Sequence, residues 1–162
     1  MPIPLAACTV DVRHGDGEAD SEVDVRSPVG EVSVRTEVDV RDTGLAVYPG
    51  ARRLREERDP KSATVTVANS WFGVKVVAAT FESTDTPEKV VDFYRTELRT
   101  YGDVVVCRGD LDVRRNRFSC RENAASRDVQ LGTGTEARHR IVAVKPRGEG
   151  TEFGLVFVET SG

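Results

Sequence analysis

Residues 138–159 read RHRIVAVKPRGEGTEFGLVFVE, and this stretch decides the fold class. Two apolar runs rich in β-branched residues, Ile141-Val-Ala-Val144 and Phe153-Gly-Leu-Val-Phe-Val158, flank the turn signal Pro146-Arg-Gly-Glu-Gly150. They read as paired antiparallel strands. Shorter strand candidates precede them at 104–107, 117–121 and 128–131. Upstream lies one helical segment. Thr86 stands at its N-cap and Pro87 at its first position, while Val90, Val91, Tyr94, Leu98 and Tyr101 share a stripe at helical spacing, with Phe93 at the edge. Gly102 supplies the stop. An isolated helix of this length is marginal in water, so it must lie on the sheet. The order predicts an α+β fold: an antiparallel sheet with one main helix packed across a face, preceded by a short all-β N-terminal segment.

That N-terminal segment repeats a pentapeptide pattern: Thr9-Val-Asp-Val-Arg13, Glu22-Val-Asp-Val-Arg26 and Glu37-Val-Asp-Val-Arg41. Each copy puts valines on one face and charges on the other, as a half-solvated strand requires. His14-Gly-Asp-Gly-Glu-Ala-Asp20 reads as a polar loop between the first two copies. The frame Ser-x-apolar-Gly-x-x-Val occurs at Ser27 and again at Ser70, and both copies read as hairpins turning at a glycine. Residues 1–43 hold four basic and ten acidic side chains, whereas residues 44–162 hold nineteen and seventeen. The predicted organisation is an acidic β-rich segment over 1–43, an appendage to an α+β domain over 44–162. Residues 52–62 carry eight charges and one leucine and read as an exposed loop or a single helical turn.

The formal net charge of -4 argues against a nucleic-acid binder, and no run of eighteen apolar residues forms a transmembrane helix. The arginine runs Arg52-Arg-Leu-Arg55 and Arg114-Arg-Asn-Arg117 have acidic neighbours and no interleaved aromatics, so they read as solvated loops. Asp11, Asp16, Glu18 and Asp20 lack the alternation and terminal acid of a calcium loop. Gly132-Thr-Gly-Thr135 lacks the lysine of a phosphate-binding loop and reads as a turn. His139 reads as a packed or exposed strand residue and His14 as a loop residue. No catalytic constellation, cofactor site or metal site is expected.

Three features remain. Cys107 and Cys120 fall on consecutive strand candidates joined by a polar stretch, and are expected to form a disulfide, which persists only in an oxidising compartment; the alternative is a pair of buried free thiols in a cytoplasmic protein that has no upstream signal. Leu5-Ala-Ala-Cys8 matches the end of a bacterial lipoprotein signal, making Cys8 the lipidation site if a longer precursor exists. Trp71-Phe72 at a hairpin tip is either an exposed anchor or a pair of rings folded back over the sheet edge.

Leu45-Ala-Val-Tyr-Pro-Gly-Ala51, the strand ending at Phe81, the segment 84–101 with its Val90-Val-Asp-Phe-Tyr-Arg95 core, and Cys107-Arg-Gly109 together resemble a group of uncharacterised bacterial proteins. These share a "YPGA … FYR" α+β domain, often behind a signal peptide or lipoprotein signal. The resemblance covers roughly residues 44–162 and implies an extracytoplasmic setting; its motifs are structural and carry no activity. The 23–34 stretch is similar to bacterial surface proteins built from stacked β-turn repeats. The leading expectation is a non-enzymatic envelope or secreted module with a binding or structural duty. Its partner would be a protein of the cell envelope, with membrane contact only through a lipid anchor at Cys8. The alternative is a small-ligand binder using the sheet near Trp71, Phe72 and Tyr48, and an enzyme comes third.

Overall fold

Period-two alternation runs through most of this chain, and most of it becomes strand. The computed structural model describes residues 8–14, 21–28, 30–54 and 62–162. The loop at 15–20, the residues 1–7 before Cys8 and the charged stretch 55–61 lie outside the described residues. Eleven strands are described: β1 (Thr9–His14), β2 (Ser21–Ser27), β3 (Gly30–Arg35), β4 (Arg52–Arg53), β5 (Ser62–Ala68), β6 (Gly73–Ser83), β7 (Val105–Arg114), β8 (Arg117–Glu122), β9 (Val129–Gly134), β10 (Arg138–Arg147) and β11 (Gly150–Ser161). They form one antiparallel sheet in the order β1-β2-β3-β5-β6-β11-β10-β9-β7-β8, with β4 on the free stretch of β6. The one α-helix described, α1 (Pro87–Leu98), runs on into a 3-10 turn, Arg99–Tyr101.

The α+β expectation is therefore corrected. Strands make up 59% of the described residues against one helical stretch of 15 residues, and the architecture is nearly all-β. The helix has the expected position, but the N-terminal strands are the outer part of the same ladder. β3 pairs with β5 from Glu31–Ala68 to Arg35–Thr64, so the ladder crosses the compositional boundary at 43/44. Val38 and Thr43, on the acidic side of that boundary, are buried in the core region.

Three further readings change. The third pentapeptide copy, Glu37–Arg41, is no strand: Val38 is buried, and Val40–Thr43 form a 3-10 turn capped by Asp39. Arg52 and Arg53 open a short strand rather than a loop, pairing with Glu82 and Phe81. Gly132 and Thr133 lie inside β9, not in a turn. A Cβ at Gly132 would meet the Phe118 ring at 2.5 Å and Leu111 Cδ2 at 2.7 Å. The glycine marks where the β7–β8 hairpin leans onto the sheet, a packing constraint invisible to turn propensity.

One face of the sheet is covered by α1, which packs on β9, β10 and β11. Val90, Val91, Tyr94 and Leu98 are buried there against Leu131, Val142, Val144, Phe153 and Leu155. Thr86 occupies the N-cap position in an extended conformation, although its side chain makes no capping bond. The segment 38–48 completes this layer with Val38, Leu45 and Tyr48. Leu98→Ala is expected to lower stability by about 2–5 kcal/mol, the range for truncating a fully buried leucine. Urea unfolding monitored by far-UV circular dichroism measures it, and a loss under roughly half a kcal/mol would place Leu98 outside the core.

Candidate functional site

The register of the outer strands aligns their valines in rows. Val10 faces Val25, Val25 faces Val32, Val32 faces Val67 and Val67 faces Val74. The next row runs Val12–Val23–Val34–Val65–Val76 and continues to Val158 on β11. Side chains on one sheet face lie two residues apart, so both rows share a face. It is the face opposite α1, because Thr64 and Ala79 alternate with Val65 and Ala78 and fall in line with core residues Val77 and Leu155. None of these valines belongs to the core cluster. Val10 and Val12, on the edge strand, are 60% and 52% exposed, and the other valines of the rows are half-buried.

The helix-side surface of the same strands is charged. Across it run the rows Arg13–Glu22–Arg35 and Asp11–Asp24–Ser33. Arg35 bonds Glu22 at 2.8 Å, and Arg26 reaches Glu31 at 3.3 Å. An open cleft of about 890 Å³ lies between this surface and residues 37–42. Its arginines and carboxylates alternate in sign, and Arg41 is paired with Asp39 at 2.8 Å.

The aromatic tip lies at the end of the β5–β6 hairpin, beyond the last facing valines. Asn69 Oδ1 accepts hydrogen bonds from the backbone amides of Trp71 and Phe72, which fixes the β5–β6 turn just beyond the Val67–Val74 pair. Trp71 is 86% exposed and Phe72 is also exposed, which corresponds to the anchor reading and not to rings folded over the edge. Tyr48 is not near them. It is buried against Phe93 and Phe153, and Phe153 pairs with Phe81, whereas the tip adjoins Gly73. Eight residues of strand separate those points, about 26 Å. Tyr48, Trp71 and Phe72 thus do not converge on one pocket.

Tyr48 serves the core. Its backbone N–H donates to the Tyr94 hydroxyl at 3.0 Å, and Tyr94 donates to the Ala46 carbonyl at 3.1 Å. The YPGA and FYR motifs therefore meet physically and lock residues 46–48 onto α1. The Tyr48 hydroxyl donates to Asp85 at 2.7 Å. That bond holds the Asp85 carboxyl below the usual carboxylate range, with Lys89 assisting, and pushes Tyr48 up. Burial pushes Tyr94 up as well.

Cys107 and Cys120 form a disulfide, with Cα atoms 5.4 Å apart. They are not a directly facing pair on neighbouring strands. Cys120 faces Leu111, and Cys107 faces Gln130 of β9. β7 instead bends at Gly109, whose φ of 132° and crowding against the β8 end exclude a side chain. The bend brings β8 back beneath Cys107, and a tight turn with positive φ at Arg115 and Asn116 closes the hairpin. Cys8 is free and exposed. The three residues before it, which complete the lipoprotein-like match, lie outside the described residues. His139 is buried, its ring 6.0 Å from Phe118 and its Nδ1 3.0 Å from the Thr135 carbonyl oxygen. Among the described residues no His, Cys, Asp and Glu cluster has the geometry to hold a metal ion, and no helix is long and apolar enough to cross a membrane. Of the four acids considered for calcium, Asp11 lies in β1 and the other three lie outside the described residues.

The valine rows are the feature that sequence reading passed over. The pentapeptides display the alternation, but nothing in them says that the helix falls on the other side. No protein-family model, characterised protein or solved structure matches the chain.

Two outcomes are expected. Replacing both Cys107 and Cys120 by serine should lower stability by about 3 kcal/mol, the loop-closure value for a link of this span. Thiol titration of the denatured, unreduced chain should find Cys8 alone. The Tyr48–Asp85 bond should also show in acid. A carboxyl depressed by folding stabilises above its unfolded value, about 3.9. That contribution disappears as pH falls through the lower, folded value. Tyr48→Phe should therefore be less stable than the parent at pH 7, and the gap should narrow at pH 2–3 in matched urea titrations.

Proposed function

We propose that this chain is a non-enzymatic binding module of an extracytoplasmic compartment, and that it engages a protein partner across the valine face and its Trp71–Phe72 tip. The single observation that carries this reading is the pair of five-valine rows left uncovered by the helix. An antiparallel sheet commonly packs one face and solvates the other with polar side chains. Here the outer strands solvate the helix side with charges and turn aliphatics to the open side. The two rows form a patch on the order of several hundred Å², a size at which soluble proteins usually carry an interaction site. An exposed tryptophan beside it is the residue type most enriched where binding energy concentrates.

The disulfide is compatible with an oxidising compartment, where such bonds persist. His139 spends its ring on Phe118 and a backbone carbonyl, so it supports the binding reading over acid–base chemistry. The open, charge-alternating cleft beside residues 37–42 offers no apolar enclosure, which favours a flat protein contact over a small ligand.

Site-specific photo-crosslinking in the native host tests the reading. A benzophenone side chain at Val67 or Trp71 should give covalent protein adducts, and one at Thr66, on the opposite face of β5, should give none. Val67→Lys should abolish the adduct formed from position 71 without unfolding the chain. Equal labelling from positions 66 and 67, or none from 67 and 71, would overturn it.

A further inference from the structure

The sheet has two ends, and only one of them is suited to pair with a copy of itself. We propose that two copies of this chain associate antiparallel along β1, with Val12 opposite Val12 and with Asp11 of each copy opposite Arg13 of the other. This goes beyond the partner reading above, because it uses the strand edge rather than the valine face.

β1 ends the ladder, and its six residues pair with β2 without a bulge. It contains neither proline nor lysine, the residues that commonly block an edge. Val10 and Val12 are among the most exposed aliphatic side chains of the described residues. The existing neighbours also leave a charge problem. Asp11 sits directly opposite Asp24, which is itself buried, and like charges so placed are unfavourable. The cations on that face already have carboxylate neighbours: Arg26 bonds Glu31, Arg35 bonds Glu22, and Arg13 stands opposite Glu22.

A two-fold axis perpendicular to the sheet can set only registers in which facing residues share a face. Centring on residue 11 puts Asp11 against Asp11, and centring on residue 13 puts Arg13 against Arg13. Centring on residue 10 places no charge against its opposite. Centring on Val12 is the one register that sets Asp11 against Arg13, and it does so twice. The incoming Arg13 then faces the Asp11–Asp24 pair. The incoming Asp11 extends the alternating row Arg13–Glu22–Arg35. The same centring joins the row Val12–Val23–Val34–Val65–Val76–Val158 to its symmetry mate, making one ladder of twelve valines across the axis. At the other end, β8 has no such solution: its acid, Glu122, alternates with Arg117 and Arg121 and lies on the opposite face from them, so no in-face register within the strand sets acid against base.

Sedimentation equilibrium of the full chain over a concentration series tests the pairing. The parent chain should reach the mass of two chains. Asp11→Arg alone faces arginine with arginine and should sediment as one chain; Arg13→Asp alone faces aspartate with aspartate and should do the same. An equimolar mixture of the two variants rebuilds both opposite-charge pairs between unlike copies and should recover the mass of two. Each variant is checked for the parent's monomer unfolding midpoint; if either fails it, Asp11→Lys with Arg13→Glu carries the same test. The proposal falls if the parent stays single throughout, if either variant alone remains double, or if the mixture of folded variants stays single. Crosslinking from Val67 reads the valine face separately, so failure of one proposal is distinguishable from failure of the other.

Discussion

The one α-helix described packs on three strands, β9, β10 and β11, whereas the ladder it lies on has ten. That mismatch governs the rest of the molecule. The helix serves β9 to β11, and the segment 38–48 extends the cover over β6, after which no further described element is available. From β5 outward the helix-side surface lies beyond the apolar core, and it is accordingly mostly threonine, serine, glutamate, aspartate and arginine. Because alternation has period two, making that side polar turns every valine the other way. The half-exposed valine face follows from the helix serving so few of the strands.

Holding the 38–48 segment in place takes unusual polar effort. Arg140 is buried on the central strand β10, its guanidinium 3.6 Å from the Tyr101 ring centroid and 4.7 Å from that of Phe157. Its Nε donates to the Thr43 carbonyl at 2.7 Å, while the Tyr101 hydroxyl donates to the Gly44 carbonyl. A guanidinium between two rings keeps its charge while exchanging water for π-faces. Together with the Tyr94 bonds to residues 46 and 48, these contacts pin an irregular segment whose carbonyls would otherwise be orphaned at the core boundary.

Most strands were readable before the fold was known, because β-branched alternation and glycine turns act locally. The helix stripe was readable for the same reason, and Val90, Val91, Tyr94 and Leu98 are the residues it buries. What local pattern does not encode is adjacency. Nothing in Gly30–Arg35 announces that β3 will pair with β5, so the acidic front looked like an appendage to a separate α+β unit. The cysteine pair shows both sides: proximity was inferable from two neighbouring strand candidates, but the facing-residue geometry was not, because a single bend at Gly109 shifts which residues meet. Gly132 likewise looked like a turn residue until Phe118 and Leu111 occupied its missing side chain. Tyr48 looked like a surface aromatic, since its partners Phe93, Tyr94 and Asp85 lie some forty residues downstream.

The chain has one tryptophan, and it sits at the tip of a hairpin in water rather than among the packed rings. Its indole emission therefore reports the hairpin tip and is nearly deaf to the loss of the core. The three tyrosines are placed in the opposite way: Tyr48 and Tyr94 lie inside the aromatic cluster, and Tyr101 lies flat on Arg140. Cooperative unfolding of this molecule will show in tyrosine near-UV dichroism while tryptophan fluorescence barely moves. The two chromophores thus divide the labour, one watching the fold and the other watching whatever approaches it.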